Sequence, residues 1–111
     1  MRQALVKYND IKAGVLQETD DGEYTFSYYD DYIKNFPEQF ISFQMPVTKQ
    51  LYRSKLLFPF FDGLIPEGWL LNLTIESWRI NRTDRMGLLL AVGKSCIGAV
   101  SVHQIENEDA G

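Results

Sequence analysis

The sequence predicts one small α+β domain: an antiparallel sheet of about five strands, open or curled toward a partial barrel, with two helices in the C-terminal half. Three observations carry that prediction. Two-residue alternation broken by turn residues fills the first third of the chain, sustained helical spacing starts at Pro66, and alternation returns over residues 97–105. A chain of 111 residues is one domain's length, and we read residues 1–105 as that domain and 106–111, ENEDAG, as a polar tail.

The elements follow in order. ALVKY (4–8) alternates loosely and meets Asn9-Asp10, a pair that tolerates tight-turn geometry. AGVLQE (13–18) is the second strand, and TDDG (19–22) turns the chain because Asp-Gly accepts positive φ. EYTFSY (23–28) is the third, with Tyr24, Phe26 and Tyr28 on one face. Residues 29–40 read as a short helix that Asp30 could cap and that Pro37 stops. FISFQM (40–45) reads as a strand ended by Pro46, and KQLYRSK (49–55) as either a weak strand or a loop. A helix is expected from Pro66 to about Ile80, with Pro66 at a tolerated first-turn position and Glu67 near the positive end of the dipole. A second is expected over 84–92, capped by Thr83 and ended by Gly93. IGAVSVHQI (97–105) closes the chain as a strand, with Ala99, Ser101 and His103 facing away from Val100 and Val102.

Composition narrows the function. The net charge is −4, and the basic residues are scattered except for Arg79, Arg82 and Arg85, which Glu76 and Asp84 partly offset. Direct nucleic-acid binding needs clustered cations to displace counterions from phosphates, so it is not expected. The single cysteine, Cys96, excludes an internal disulfide and fits a reducing, cytoplasmic setting. The N-terminus lacks a signal-peptide apolar run, and the longest apolar run, LLLAV, is far short of a membrane span.

Reactive chemistry is sparse, and neither catalysis nor any cofactor or metal is expected. GLLLAVGKS (87–95) ends like a phosphate-binding loop, but that motif needs glycine five residues before Gly93, where Leu88 stands. Here a helix also leads into a strand, the reverse of the order the motif needs. His103 and Cys96 make no metal set, and a step of seven residues along an extended chain separates them by roughly 23 Å. The carboxylate pairs Asp20-Asp21 and Asp30-Asp31 lie in turns, and Glu106, Glu108 and Asp109 lie in the tail, all solvated by default.

Residues 58–69, FPFFDGLIPEGW, ask for something else. Pro59 and Pro66 fix φ, Gly63 and Gly68 permit backbone that other residues resist, and Phe58, Phe60, Phe61, Leu64 and Ile65 demand burial. One helical turn around FFDGL would meet those demands. In the helix after it, at about 100° per residue, Trp69, Leu73 and Ile80 fall within about 40°, while Leu71, Ile75 and Trp78 gather opposite. A surface helix needs one apolar stripe. Two stripes mean either that protein covers both sides or that one of them meets a partner. Trp69, at the helix start, is the partner-facing candidate, and Trp78 is assigned to the core.

With these residues in view, the chain resembles the N-terminal subdomain of HipA-type toxin kinases. FPFFDGLIPEGW is similar to that family's Phe-Phe-Asp-x-Leu-Leu-Pro-Glu-Gly segment, with Gly63 where Asn is common and Ile65 where Leu is usual. DRMGLLLAVGKSCIGAV is similar to its Leu-Leu helix and Gly-x-x-x-x-Gly-Ala run, ISFQMP to its Ser-x-x-x-Pro strand, and AGVLQETDDGEYTFSYYDDYI to its opening meander. HipA-type kinases continue into residues that carry ATP binding and catalysis, so the resemblance implies a chain without that machinery. A free-standing version is similar to HipS, the antitoxin of three-component HipB–HipS–HipT systems. The resemblance therefore implies a HipT-like serine/threonine kinase as partner, with a HipB-like helix-turn-helix protein as a further one. The alternatives are a structural subunit that completes a split kinase and a co-regulator acting through HipB. Asp62, Leu64, Pro66, Glu67 and Gly68 carry over by motif as partner-binding candidates, with Ile65, Trp69 and Leu73 beside them.

Overall fold

The computed structural model describes residues 2–65, 84–92 and 99–105. Five strands form one antiparallel sheet: β1 (Arg2–Tyr8), β2 (Ile11–Glu18), β3 (Tyr24–Tyr28), β4 (Tyr52–Ser54) and β5 (Val100–Ile105). Their order is β4-β3-β2-β1-β5, so the sheet is open and does not close into a barrel. Among the described residues three helices accompany it: α1 (Asp30–Asn35), α2 (Pro59–Asp62) and α3 (Arg85–Val92). The expected helix over 66–80 lies outside the described residues, as does the tail 106–111.

The meander forms where turn chemistry demands it. Asn9 and Asp10 take φ of 50° and 65°, the left-handed geometry of a tight hairpin, and Gly22 takes 84° in the next turn. Between Val6 and Lys7 the β1–β2 register slips, because Val6 faces Gly14 while Lys7 faces Lys12 and Ala13 is left unpaired. This bulge turns both Ala13 and Gly14 inward and leaves the Ala13 carbonyl to accept the Tyr29 amide at 2.9 Å, which launches α1. Gly14 is required there: a Cβ would meet the Ser27 carbonyl and the Phe26 ring.

One sheet face carries Ala4, Val6, Leu16, Phe26, Tyr28, Val100 and Val102, all buried. Register puts them side by side, since Leu16 pairs with Ala4 and Phe26 while Val6 pairs with Val102. Against this face pack Tyr32 of α1, Phe61 of α2 and Met86, Leu88 and Leu89 of α3, none more than 1% exposed. Phe61 meets Phe26 at 5.8 Å between ring centroids, and Tyr32 stacks on Tyr28 at 5.7 Å.

Four expectations change. Asp30 does not cap α1: Tyr29 is the cap residue, and Asp30 and Asp31 occupy the first turn, where the dipole favours negative charge. α3 is capped by Asp84, whose Oδ1 accepts the Gly87 amide at 3.0 Å; Thr83 lies outside the described residues. Gly63 takes ordinary right-handed geometry, φ −67°, so its backbone freedom is not used. Residues 40–45 are not a strand but a turn closed by a Ser42–Met45 bridge, and the fifth strand is Tyr52–Ser54 instead. The reason is side-chain capture. Tyr32 Oη donates to the Gln39 carbonyl at 2.6 Å, Tyr52 Oη to the Pro46 carbonyl at 2.7 Å and Tyr28 Oη to the Met45 carbonyl. Carbonyls taken by phenols are not offered to a neighbouring strand, and Pro46 brings no amide hydrogen.

Candidate functional site

The segment singled out in the sequence begins with one helical turn. Phe58 is extended, Pro59 starts α2, and the amides of Asp62 and Gly63 bond the carbonyls of Phe58 and Pro59, each at 2.9 Å. Side chains hold this turn down. Phe58, Phe61 and Ile65 are 8%, 0% and 4% exposed, while Phe60 and Leu64 lie half-buried against the core. Ile65 therefore belongs to this chain's interior, and Leu64 offers only part of its surface.

Asp62 is the polar member of the turn. It accepts Arg85 Nε at 2.7 Å, joining α2 to the first residue of α3. Beside that pair, Tyr24, Lys55, Leu56 and Pro59 line an open groove of about 460 Å³. One residue earlier, Asp84 receives both terminal nitrogens of Arg2, at 2.9 and 2.7 Å. Arg2 Nε reaches Glu18 at 2.7 Å, and the Tyr24 hydroxyl leans on the same carboxylate at 3.4 Å. The hydrogen bonds from Arg2 hold the Asp84 carboxyl below the usual carboxylate range, and Asp84 raises Arg2 in return. Burial raises the Tyr24 phenol. Two ion pairs thus fasten the start of α3, one to the sheet and one to α2.

Of the eight partner-binding candidates, Asp62, Leu64 and Ile65 are described: Asp62 lines the groove, whereas Leu64 and Ile65 pack against or within the core and do not line it. Pro66, Glu67, Gly68, Trp69 and Leu73 lie outside the described residues, as do Trp78 and Cys96. Arg85 is the residue that the sequence reading missed as a partner of Asp62. Its sole sequence signal was membership of the Arg79–Arg82–Arg85 group, and a bond across 23 positions has no local signature.

The chemistry on view is modest. Ser101 Oγ and His103 Nε2 lie 2.9 Å apart on β5, but on the outer sheet face, and neither lines a described cavity. Among the described residues no group of three or more His, Cys, Asp or Glu side chains gathers to hold a metal. No helix among them is long and apolar enough to cross a membrane.

The comparisons with known proteins agree with the geometry. Residues 4–103 match the family model described as the HipA N-terminal domain. The chain belongs to that family. A curated relative, an uncharacterized protein of Haemophilus influenzae (strain Rd), is 35% identical over 91 residues, spanning 82% of this chain and 81% of its own. Among solved structures, the N-terminal domain of HipA toxin superposes with a TM-score of 0.69 at 28% identity, covering 96% of this chain and 94% of that one. The HipA N-terminal domain is a non-catalytic subdomain of the toxin. Of the family's motif positions, Asp62 here lines the groove and bonds Arg85, and Leu64 packs against the core.

Proposed function

We propose that this HipA N-terminal domain acts by binding a HipT-like serine/threonine kinase and restraining it, as an antitoxin. The observation that carries the reading is the match itself, to a domain that is a non-catalytic subdomain of the toxin. Nearly all of this chain aligns with the HipA N-terminal domain, and the H. influenzae relative is likewise matched over 81% of its length. Such a domain acts through contact, and the contact we assign is the Asp62–Gly68 segment leading to Trp69. A tryptophan entering a partner pocket contributes strongly to binding, and its truncation costs about 2 kcal/mol or more. A HipB-like DNA-binding protein would join as a third component, and the −4 net charge supports an indirect role on DNA.

Co-expression with the kinase tests the reading. Wild-type chain restores growth, and Trp69→Ala at equal soluble level does not. Full rescue by Trp69→Ala removes that indole from the mechanism. Greater toxicity on co-expression overturns inhibition in favour of a subunit that completes the kinase.

A further inference from the structure

The turn at residues 39–46 displays two phenylalanines in a way the core does not need. Phe43 is 87% exposed and Phe40 37%, and their rings lie 5.0 Å apart. Between them and just beyond, Ile41 and Met45 are buried, so the same short turn divides its apolar side chains between interior and solvent. The turn is built to hold that arrangement. Three tyrosine hydroxyls, from β3, α1 and β4, bind the carbonyls of Met45, Gln39 and Pro46, and Tyr28 Oη also accepts the Ile41 amide at 3.1 Å. Three separate elements thus hold the backbone that carries the pair, which lowers the ordering cost a contact there has to meet.

Position separates this pair from the Asp62 groove. Tyr28, which holds the turn, and Tyr24, which lines the groove, are the two ends of β3, about 13 Å apart along the strand. Charge argues against a second copy of this chain, whose net charge is −4, as the occupant. Two phenylalanines present roughly 300–500 Å² even when fully buried, short of the roughly 800 Å² per partner that a stable complex of its own needs. The pair is therefore one contact within a larger interface. Charge indicates what faces it. From Tyr28 to Pro46 the chain exposes Asp30, Asp31 and Glu38 against one lysine, Lys34. We infer that Phe40 and Phe43 form a second anchor for the kinase partner, entering an apolar hollow on it rimmed by lysine or arginine. This rests on the kinase-binding reading and adds to it a contact remote from Trp69.

The experiment is a titration of purified kinase with wild-type chain, Phe40→Ser/Phe43→Ser, Glu38→Lys and Trp69→Ala, alongside thermal melts and sedimentation of each chain alone. The double serine variant should melt like wild type and bind roughly tenfold or more weakly. Glu38→Lys should slow association, most at low salt. Unchanged affinity in the double variant while Trp69→Ala weakens binding overturns the second anchor and leaves the proposed function standing. A wild-type chain that does not bind the kinase overturns both. Concentration-dependent self-association that the double serine variant abolishes assigns the pair to a second copy and overturns the kinase contact.

Discussion

The β1–β3 meander and the stretch from Gln39 to Ile65 sit against the same core and are held by different bonds. In the meander, backbone pairs with backbone between strands that are neighbours in sequence. From Gln39 to Ile65 most of the chain is irregular; carbonyls in it are captured by tyrosine hydroxyls, two of them from β3 and α1 and one from Tyr52 within the stretch, while Asp62 is captured by Arg85. The first region encodes its own partners within a few residues. The second borrows them, so its shape depends on side chains up to 23 positions away. Borrowed bonds suit a region that must present residues outward: they fix irregular backbone without using a sheet edge to do it.

The largest effect should come where the two regions touch. Phe61 is fully buried and meets Phe26, Phe58 and Phe60. Phe61→Ala should cost about 3–5 kcal/mol in urea unfolding, through lost transfer energy and the cavity left behind. A loss under about 1 kcal/mol would mean that the meander stands without its cover, and the dependence argued here would fail.

Next is a test inside the meander. Gly14→Ala places a methyl against the Ser27 carbonyl and the Phe26 ring, so β2 and β3 must separate or Phe26 must move. Overpacking of this kind costs about 1–3 kcal/mol. Hydrogen exchange should show the loss concentrated in β2 and β3. Equal loss of protection in the Gln39–Pro46 turn would show that the two regions open as one unit.

The same division decides what the sequence could reveal. Asn9-Asp10 and the Asp-Gly turn announced the meander because local backbone geometry restricts residue choice there. The single turn of α2 was legible from Pro59 and its phenylalanines, and Val100 and Val102 from alternation. Residues 40–45 misled because Ile41, Phe43 and Met45 alternate as a strand would, whereas only Ile41 and Met45 are buried. Nothing local says that phenols will take the Met45 carbonyl and the carbonyls of Gln39 and Pro46 on either side of the segment. Asp84 was hidden for a related reason: Thr83 is also a capping type, and the Arg2 bonds that mark Asp84 come from the far end of the chain. At the candidate site the motif residues were legible as a group. The Arg85 bond that fastens Asp62 was not.

A third change probes the borrowed bonds directly. Tyr28→Phe keeps the ring and its stack on Tyr32 but strands the Met45 carbonyl and the buried Ile41 amide, at about 1–3 kcal/mol. Exchange protection should fall in the 39–46 turn and hold in β1. The phenol also gives a pH signature. Burial pushes Tyr28 up to about 12 from its ordinary value near 10, so the neutral form is favoured in the fold. A raised value means that this stability is fully present below about pH 10 and is lost as pH rises toward 12. Wild type minus Tyr28→Phe should therefore shrink across that window. Tyr29 and Tyr32 are also raised by burial, so the difference between variants is the measure, not the wild-type curve alone.

The smallest effect separates two roles of one carboxylate. Asp84 caps α3 through the Gly87 amide and receives both terminal nitrogens of Arg2. Asparagine caps as well as aspartate does but carries no charge, so Asp84→Asn removes the ion pair and keeps the cap, while Asp84→Ala removes both. The alanine variant should lose about 1 kcal/mol for the cap alone. The asparagine variant should lose less, because the pair is about one-third exposed on each side and solvent screens it. The sign with pH then identifies the charge. Arg2 holds the Asp84 carboxyl below its unfolded value of roughly 3.9, so the pair's stability is present above that pH and disappears as pH falls through the folded value. Wild type and Asp84→Asn should differ at pH 7 and converge in acid. If they already coincide at pH 7, Arg2 contributes position and not energy, and the start of α3, with Arg85 and its hold on Asp62, is set by the cap.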